Sequence, residues 1–182
     1  MVSGMIIELP PRAEQDAFNR KRWEELCRDT KLDWVEERIE TDRHGNIVMS
    51  PMPAARHGRF QSEIVYLLKT LLPGGVVHTE CPISTSDGVK GADVVWISRE
   101  RFEPMKDDLC FSRAPEICVE VISPSNSPRA ISEKGALYFD AGATEFWTCG
   151  FSGKMRFFLN PGAEAEAKSA LCPEFPTKIE LS

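Results

Sequence analysis

The sequence predicts one α/β domain, with covered central strands flanked by amphipathic helices. Three observations predict it. The runs Ala92-Asp93-Val94-Val95-Trp96-Ile97 and Ile117-Cys118-Val119-Glu120-Val121-Ile122 are apolar toward both faces, as strands covered above and below require. Phe60, Ile64, Leu67, Leu68 and Leu71 follow the i, i+4, i+7, i+8, i+11 spacing of a buried helix face. Ser127-Pro128 opens a further helix with an N-cap serine and a proline at the first helical position. The 182 residues suit one domain spanning 1–182, with a core at about 34–160 and no repeat or linker inside it.

The elements follow in order. Residues 14–29 are expected to form an N-terminal helix whose sparse apolar contacts are Phe18, Leu26 and Cys27. Trp34 to Glu40 and Asn46 to Met49 predict two strands of a hairpin, joined by the turn chemistry of Asp42-Arg43-His44-Gly45 and ended by Pro51 and Pro53. The helix bearing Phe60 and Leu71 stops at Pro73-Gly74-Gly75. Short strands are expected near 76–85, a Gly-rich turn at 86–91, then the first apolar run. Residues 98–114 read as a loop with some helix. The second apolar run leads to the helix from Pro128 to about Ala141, capped by Gly142. Glu145 to Thr148 and Met155 to Leu159 predict a hairpin around Ser152-Gly153, and the last twenty residues a loop and a terminal strand.

Composition excludes several classes. The six cysteines, Cys27, Cys81, Cys110, Cys118, Cys149 and Cys172, form no Cys-x-x-Cys pair and are expected as reduced thiols of a cytoplasmic protein. No apolar stretch approaches the ~20 residues of a membrane span, and Met5-Ile6-Ile7 is too short for a signal-peptide core. The formal charge of −6 argues against a surface that is basic throughout, though not against a local basic groove.

The candidate chemistry starts from two carboxylates. Asp93 and Glu120 each stand alone in an apolar run, where an unpaired carboxylate is costly to ionise. Two such residues suggest a shared cation, and hard oxygen ligands suit Mg²⁺. Facing carboxylates require the two strands to be neighbours in matched register. On the helix from Pro128, the stripe is Ala130, Ile131, Leu137, Tyr138 and Ala141, and Lys134 falls in its middle. A lysine there either pairs with a carboxylate or phosphate and orients a water, or snorkels past the sheet edge, or forms a structural ion pair with Glu120. Asp93 could likewise only cap a turn. His57 lies on the apolar face of its helix, one turn before Phe60 and Gln61, and reads either as a hydrogen-bonded core residue or as a functional one. Glu80 stays ambiguous, and His78-Thr79-Glu80-Cys81 offers too few ligands for zinc.

With these residues in hand, the chain resembles the PD-(D/E)xK restriction-endonuclease-like superfamily, and within it a large bacterial family of short endonuclease-type chains. The matching stretches are Glu37-Arg38-Ile39-Glu40 to Met49-Ser50-Pro51, Arg56-His57-Gly58, Gly91-Ala92-Asp93-Val94-Val95, and Pro115-Glu116 through Glu120-Val121-Ile122-Ser123-Pro124-Ser125, completed by Glu133-Lys134 to Tyr138, Gly142 and Glu145-Phe146-Trp147. The resemblance implies a mixed central sheet flanked by helices. It implies metal ligands at Asp93, Glu120 and the carbonyl of Val121, with Lys134 as the catalytic lysine. That lysine ordinarily stands two residues after the glutamate; here Ile122 occupies the position, and the narrower family is similar to this chain in carrying it on the next helix. Ala92 replaces the usual proline. His57 and Gln61 match the polar end of the family's first core helix, as an extra ligand or a substrate contact, and Glu80 is a further accessory candidate.

The resulting expectation is a Mg²⁺-dependent endonuclease, with Mn²⁺ as a substitute metal, cutting DNA phosphodiester bonds as a cytoplasmic homodimer. The alternatives are a nucleic-acid-binding or regulatory protein on a nuclease fold that does not cut, and an interaction scaffold in which Asp93, Glu120 and Lys134 form a structural ion network.

Overall fold

A computed structural model describes residues 10–33, 35–124 and 126–181. Along the chain these form α1 (Arg12–Cys27), the hairpin β1 (Arg38–Thr41) and β2 (Ile47–Ser50), α2 (Ala55–Leu71), β3 (Gly75–Thr85), β4 (Gly88–Ser98), α3 (Arg99–Phe102), β5 (Ile117–Val121), α4 (Pro128–Asp140), β6 (Glu145–Cys149) and β7 (Met155–Phe158). The strand order is β3-β4-β5-β6-β7, with β1-β2 a separate pair. Only β5 and β6 run parallel, so the sheet is mixed. A parallel pair needs a long crossover, which α4 supplies. Both apolar runs are indeed inner strands, and helices flank the sheet as expected. On one face α2 sets Phe60, Ile64 and Leu68 against Val94, Val119 and Trp147. On the other, Tyr138 and Ala141 meet Val95, Cys118 and Phe146.

Helix α4 starts as its sequence directs: Ser127 accepts the Ala130 N–H at 3.1 Å, with Pro128 next to the cap. Its buried line differs from the expected stripe. Gly135, Tyr138 and Ala141 are buried while Ala130 is exposed, so Lys134 borders the buried line instead of centring it. Gly135 lets the helix sit close on the sheet; a Cβ there would lie 2.5 Å from the Phe146 ring.

Helix α1 also corrects the sequence reading. Leu26 is buried, but Phe18 and Cys27 are exposed, and the helix docks through amides instead. Buried Asn19 donates to Ser84 Oγ at 3.0 Å and Thr85 O at 2.8 Å, while Gln15 donates to Asn19 Oδ1 at 2.8 Å and Arg43 O at 3.0 Å. Asn19→Ala would strip buried acceptors of their donor. It is expected to lower stability by about 1–3 kcal/mol, read as a shifted urea midpoint at unchanged m-value.

Three further boundaries moved. The first hairpin strand starts at Arg38, because a 3₁₀ turn at Thr30–Leu32 follows α1 and β2 offers only four partners before Pro51; Trp34 lies outside the described residues, as do Met5-Ile6-Ile7 and Ser125. The short strands near 76–85 are one eleven-residue strand. Pro82 is tolerated because β3 is an edge: its carbonyl faces outward to the Phe111 N–H, and so does its nitrogen, which lacks a hydrogen. The turn at 86–91 shrinks to Ser86-Asp87, since Lys90 and Gly91 pair with Ile83 and Pro82. Gly88 (φ +86°) allows this, and a Cβ there would meet the carbonyls of Thr41 and Asp42 at 2.4 Å, so β1 packs directly on the start of β4. No terminal strand forms among the described residues; Lys154–Lys178 and Phe157–Glu166 are isolated bridges.

Candidate functional site

Strands β4 and β5 pair with Val94 opposite Val119, so the register continued by one residue sets Asp93 beside Glu120. The carboxylates are 1% and 5% exposed. They meet different partners. Asp93 Oδ2 accepts the Val121 N–H at 2.6 Å, and its Oδ1 accepts from Arg38 Nη1 at 2.8 Å. Glu120 Oε1 accepts the Tyr138 hydroxyl at 2.8 Å. Lys134 reaches Glu120 at 3.2 Å, Glu40 Oε1 at 2.9 Å and the Gly91 carbonyl at 2.9 Å. The three principal sequence candidates are therefore brought together, and Val121 touches Asp93 through its backbone nitrogen.

The accessory candidates converge on the same spot from the α2 side. His57 is buried, with Nε2 3.3 Å from Asp93 Oδ1 but off the hydrogen-bond line, and neither ring nitrogen has a hydrogen-bond partner. Gln61 donates to Glu80 Oε1 at 2.6 Å and to the Asp93 carbonyl at 3.1 Å. Glu80 pairs with Arg38 at 2.7 Å. Its φ of +51° is the left-handed region, sparsely used by residues other than glycine. The β3–β4 pairing breaks there, between Thr79–Val94 and Cys81–Ala92. Local strain of this kind persists where surrounding contacts hold it, commonly at ligand clamps.

Two residues of the cluster carried no role in the sequence reading: Arg38 and Glu40. Both lie on one face of β1, two residues apart. Opposite charges in a short polar hairpin look solvated. The signals available were their shared strand face and the place of Glu37-Arg38-Ile39-Glu40 among the stretches that carry the family resemblance. Tyr138, part of the apolar stripe in the sequence, also holds Glu120.

The charges do not balance. When all are ionised, Glu40, Glu80, Asp93 and Glu120 outnumber Arg38 and Lys134, although Glu80 is 47% exposed and water screens its share. Nearby Lys90 and Glu133 are occupied elsewhere, with Asp87 and Arg129. The titrations reflect this crowding. Burial, with Asp93 and Glu40 adding like charge, pushes Glu120 up to about 7 although Lys134 and the Tyr138 hydroxyl oppose the rise. Burial would raise Asp93 too, but His57, Arg38 and the Val121 N–H outweigh it and hold Asp93 below the usual carboxylate range. Lys134 loses hydration, yet Glu120 and Glu40 keep it well above its ordinary value and so protonated.

A divalent cation fits this donor set. It would offset the surplus of carboxylates, and hard carboxylate oxygens suit Mg²⁺ or Mn²⁺. His57, Glu80 and Asp93, a group without Glu120, each offer a ligand atom within 4.8 Å of the others, and His57 Nδ1 lacks a partner that a cation or a solvent molecule would provide. The cluster opens into a cleft of about 570 Å³, lined among others by Arg38, Glu40, His57, Asp93, Glu120 and Lys134.

A mixed sheet with paired carboxylates on adjacent inner strands, and helices on both faces, defines a restriction-endonuclease-like domain. The family model described as Uma2, "Putative restriction endonuclease", matches residues 23–164, and the chain belongs to that family. A solved structure from Anabaena variabilis ATCC 29413, described as a "putative nuclease belonging to DUF820", shares the fold with a TM-score of 0.64. It is 21% identical, over 79% of this chain and 82% of that one. No curated protein matches the chain. No helix among the described residues is long and apolar enough to cross a membrane.

Proposed function

We propose that this protein is a metal-dependent endonuclease that hydrolyses DNA phosphodiester bonds at the Asp93–Glu120 pair. The observation that carries this reading is the buried Asp93–Glu120 pair, side by side on adjacent strands, in a cluster where carboxylates outnumber Arg38 and Lys134. Asp93 and Glu120, with the Val121 carbonyl, would hold Mg²⁺ or Mn²⁺, which when bound polarises the phosphate and lowers the pKa of an attacking water.

The chain's own groups do the rest. Tyr138 and Lys134 fix the Glu120 carboxylate, and the Val121 N–H fixes Asp93. Lys134, partly exposed to the cleft, offsets negative charge on the phosphoryl oxygens. His57, Gln61 and Glu80 border the pair as accessory contacts. The proposal places the activity in a single domain spanning 1–182, in the cytoplasm, where six free thiols persist. It makes the protein a homodimer, with exposed Val48 and Met49 of β2 and Met52 beyond it as apolar contacts, Val48 and Met52 also lining the cleft. Cleavage of duplex DNA in Mg²⁺ that survives Asp93→Ala or Glu120→Ala would sink the reading.

One observation favours a second reading, a nuclease-fold protein that binds nucleic acid without cutting. Arg38 already bridges Asp93 and Glu80, where a cation would otherwise serve. Calorimetry separates the two: a metal-free network shows no heat with Mg²⁺ or Mn²⁺.

Affinity for the metal should depend on pH. Below about 7 Glu120 carries a proton that the cation must displace. Mn²⁺ affinity is expected to climb up to about tenfold per pH unit between roughly pH 5.5 and 7 and to flatten above 8, with Glu120→Gln abolishing the slope.

A further inference from the structure

A second cavity, of about 470 Å³, lies on the far side of α4 from the carboxylates. It is lined by aromatic side chains, Phe139, Phe146 and Phe158, and by Lys154 and Arg156, and among the described residues it contains no carboxylate. On a chain of net charge −6 this is a local reversal of sign. Lys154 and Arg156 are exposed, and neither makes an ion pair among the described residues. By contrast, the cationic groups of the first cleft are all tied to carboxylates.

The sheet connects the two places. Glu120 pairs with Thr148, and Thr148 with Arg156, so the three stand in one row on the same face. Two strand spacings put the Arg156 backbone roughly 10 Å from that of Glu120. Thr148 forms part of the cavity lining, and Asn126 and Ile131 line both the cavity and the cleft. The cavity and the cleft therefore adjoin at Asn126 and Ile131, by the start of α4.

We propose that this cavity binds an unpaired nucleotide of the substrate strand, next to the bond to be cut. Arg156 and Lys154 take its phosphate, and its base lies against Phe158, whose ring stacks on Phe146 at 5.8 Å and 27°. Aromatic faces beside cations that track a backbone are the common chemistry of single-strand binding. A duplex held rigidly in its stack cannot place a base there, so the substrate class is single-stranded or locally opened nucleic acid. This assignment rests on the nuclease reading, since it places the occupant by its distance from Glu120.

The test uses the full chain in EDTA, an oligonucleotide carrying 2-aminopurine, and fluorescence anisotropy. The unpaired strand should bind at least about tenfold tighter than the same sequence as a blunt duplex, with 2-aminopurine emission changing as its base leaves the stack. Arg156→Ala should weaken binding about tenfold and reduce the salt slope by about one. Phe158→Ala should weaken binding without changing the slope; the exposed Arg156 variant keeps the test valid if Phe158→Ala fails to fold. Equal affinity for strand and duplex, unchanged binding by Arg156→Ala, or no binding by the parent protein would each overturn the assignment. Cleavage by the parent with Mn²⁺ is measured separately. Cutting with no effect of Arg156→Ala removes the subsite and leaves the nuclease reading; subsite binding without cutting does the reverse.

Discussion

Asp93→Asn is expected to abolish metal-dependent cleavage, lowering the single-turnover rate by at least about 10³-fold, while the protein stays folded. The amide keeps an oxygen for the Val121 N–H, which Asp93 meets at 2.6 Å. It removes the negative charge that the proposed cation requires. Arg38 loses one partner but retains Glu80 at 2.7 Å, so the guanidinium is not stranded. The stability cost should be about 1–2 kcal/mol. Asp93→Ala deletes the acceptor as well and should cost about 1–3 kcal/mol more, because the buried Val121 N–H then has no partner while Arg38 still holds Glu80. Thermal unfolding of both variants beside their cleavage rates separates loss of chemistry from loss of fold.

Asp93 shows what was legible in the sequence. A lone carboxylate in an apolar run is conspicuous, and so is Glu120 in its own run. The runs also announced themselves as inner strands, because both faces had to be covered. The pattern through Phe60, Ile64 and Leu68 fixed α2, and the buried face it defined carries His57 inward. What did not show was the ring of charge around the pair. Arg38 and Glu40 sit in a polar hairpin, and nothing local says that β1 packs on β4; that contact depends on Gly88 leaving room for the Thr41 and Asp42 carbonyls. Asn19 and Gln15 were invisible for a related reason. Buried amides satisfy one another across α1 and β3, and a sequence pattern built on apolar spacing does not register them.

Lys134→Met is expected to have the second large effect, and one that depends on pH. The thioether side chain keeps the stem's packing but removes the ammonium from Glu40, Glu120 and the Gly91 carbonyl. Cleavage should fall about 10²–10³-fold with loss of that charge beside the phosphate. Stability should respond through Glu120. Its carboxyl, already up at about 7, rises further once its largest opposing influence is gone. An acid whose folded pKa exceeds its unfolded value binds protons more tightly when folded, so stability is highest at low pH and falls as pH rises through the window. The variant should therefore lie near the parent at about pH 5, where Glu120 is neutral in both. It should lose up to about 3–5 kcal/mol by pH 9, where a buried carboxylate lacks its partner. Melting curves across that range give the comparison. A parallel offset at every pH would instead mean that Lys134 acts through packing alone.

The proposed chemistry depends on a cation shared by Asp93 and Glu120. Anomalous diffraction from crystals soaked in Mn²⁺ tests it most directly. The predicted result is a peak bridging the two carboxylates, with Lys134 beside it. A peak confined to His57 and Glu80, or none while Arg38 remains seated on Asp93, would contradict it.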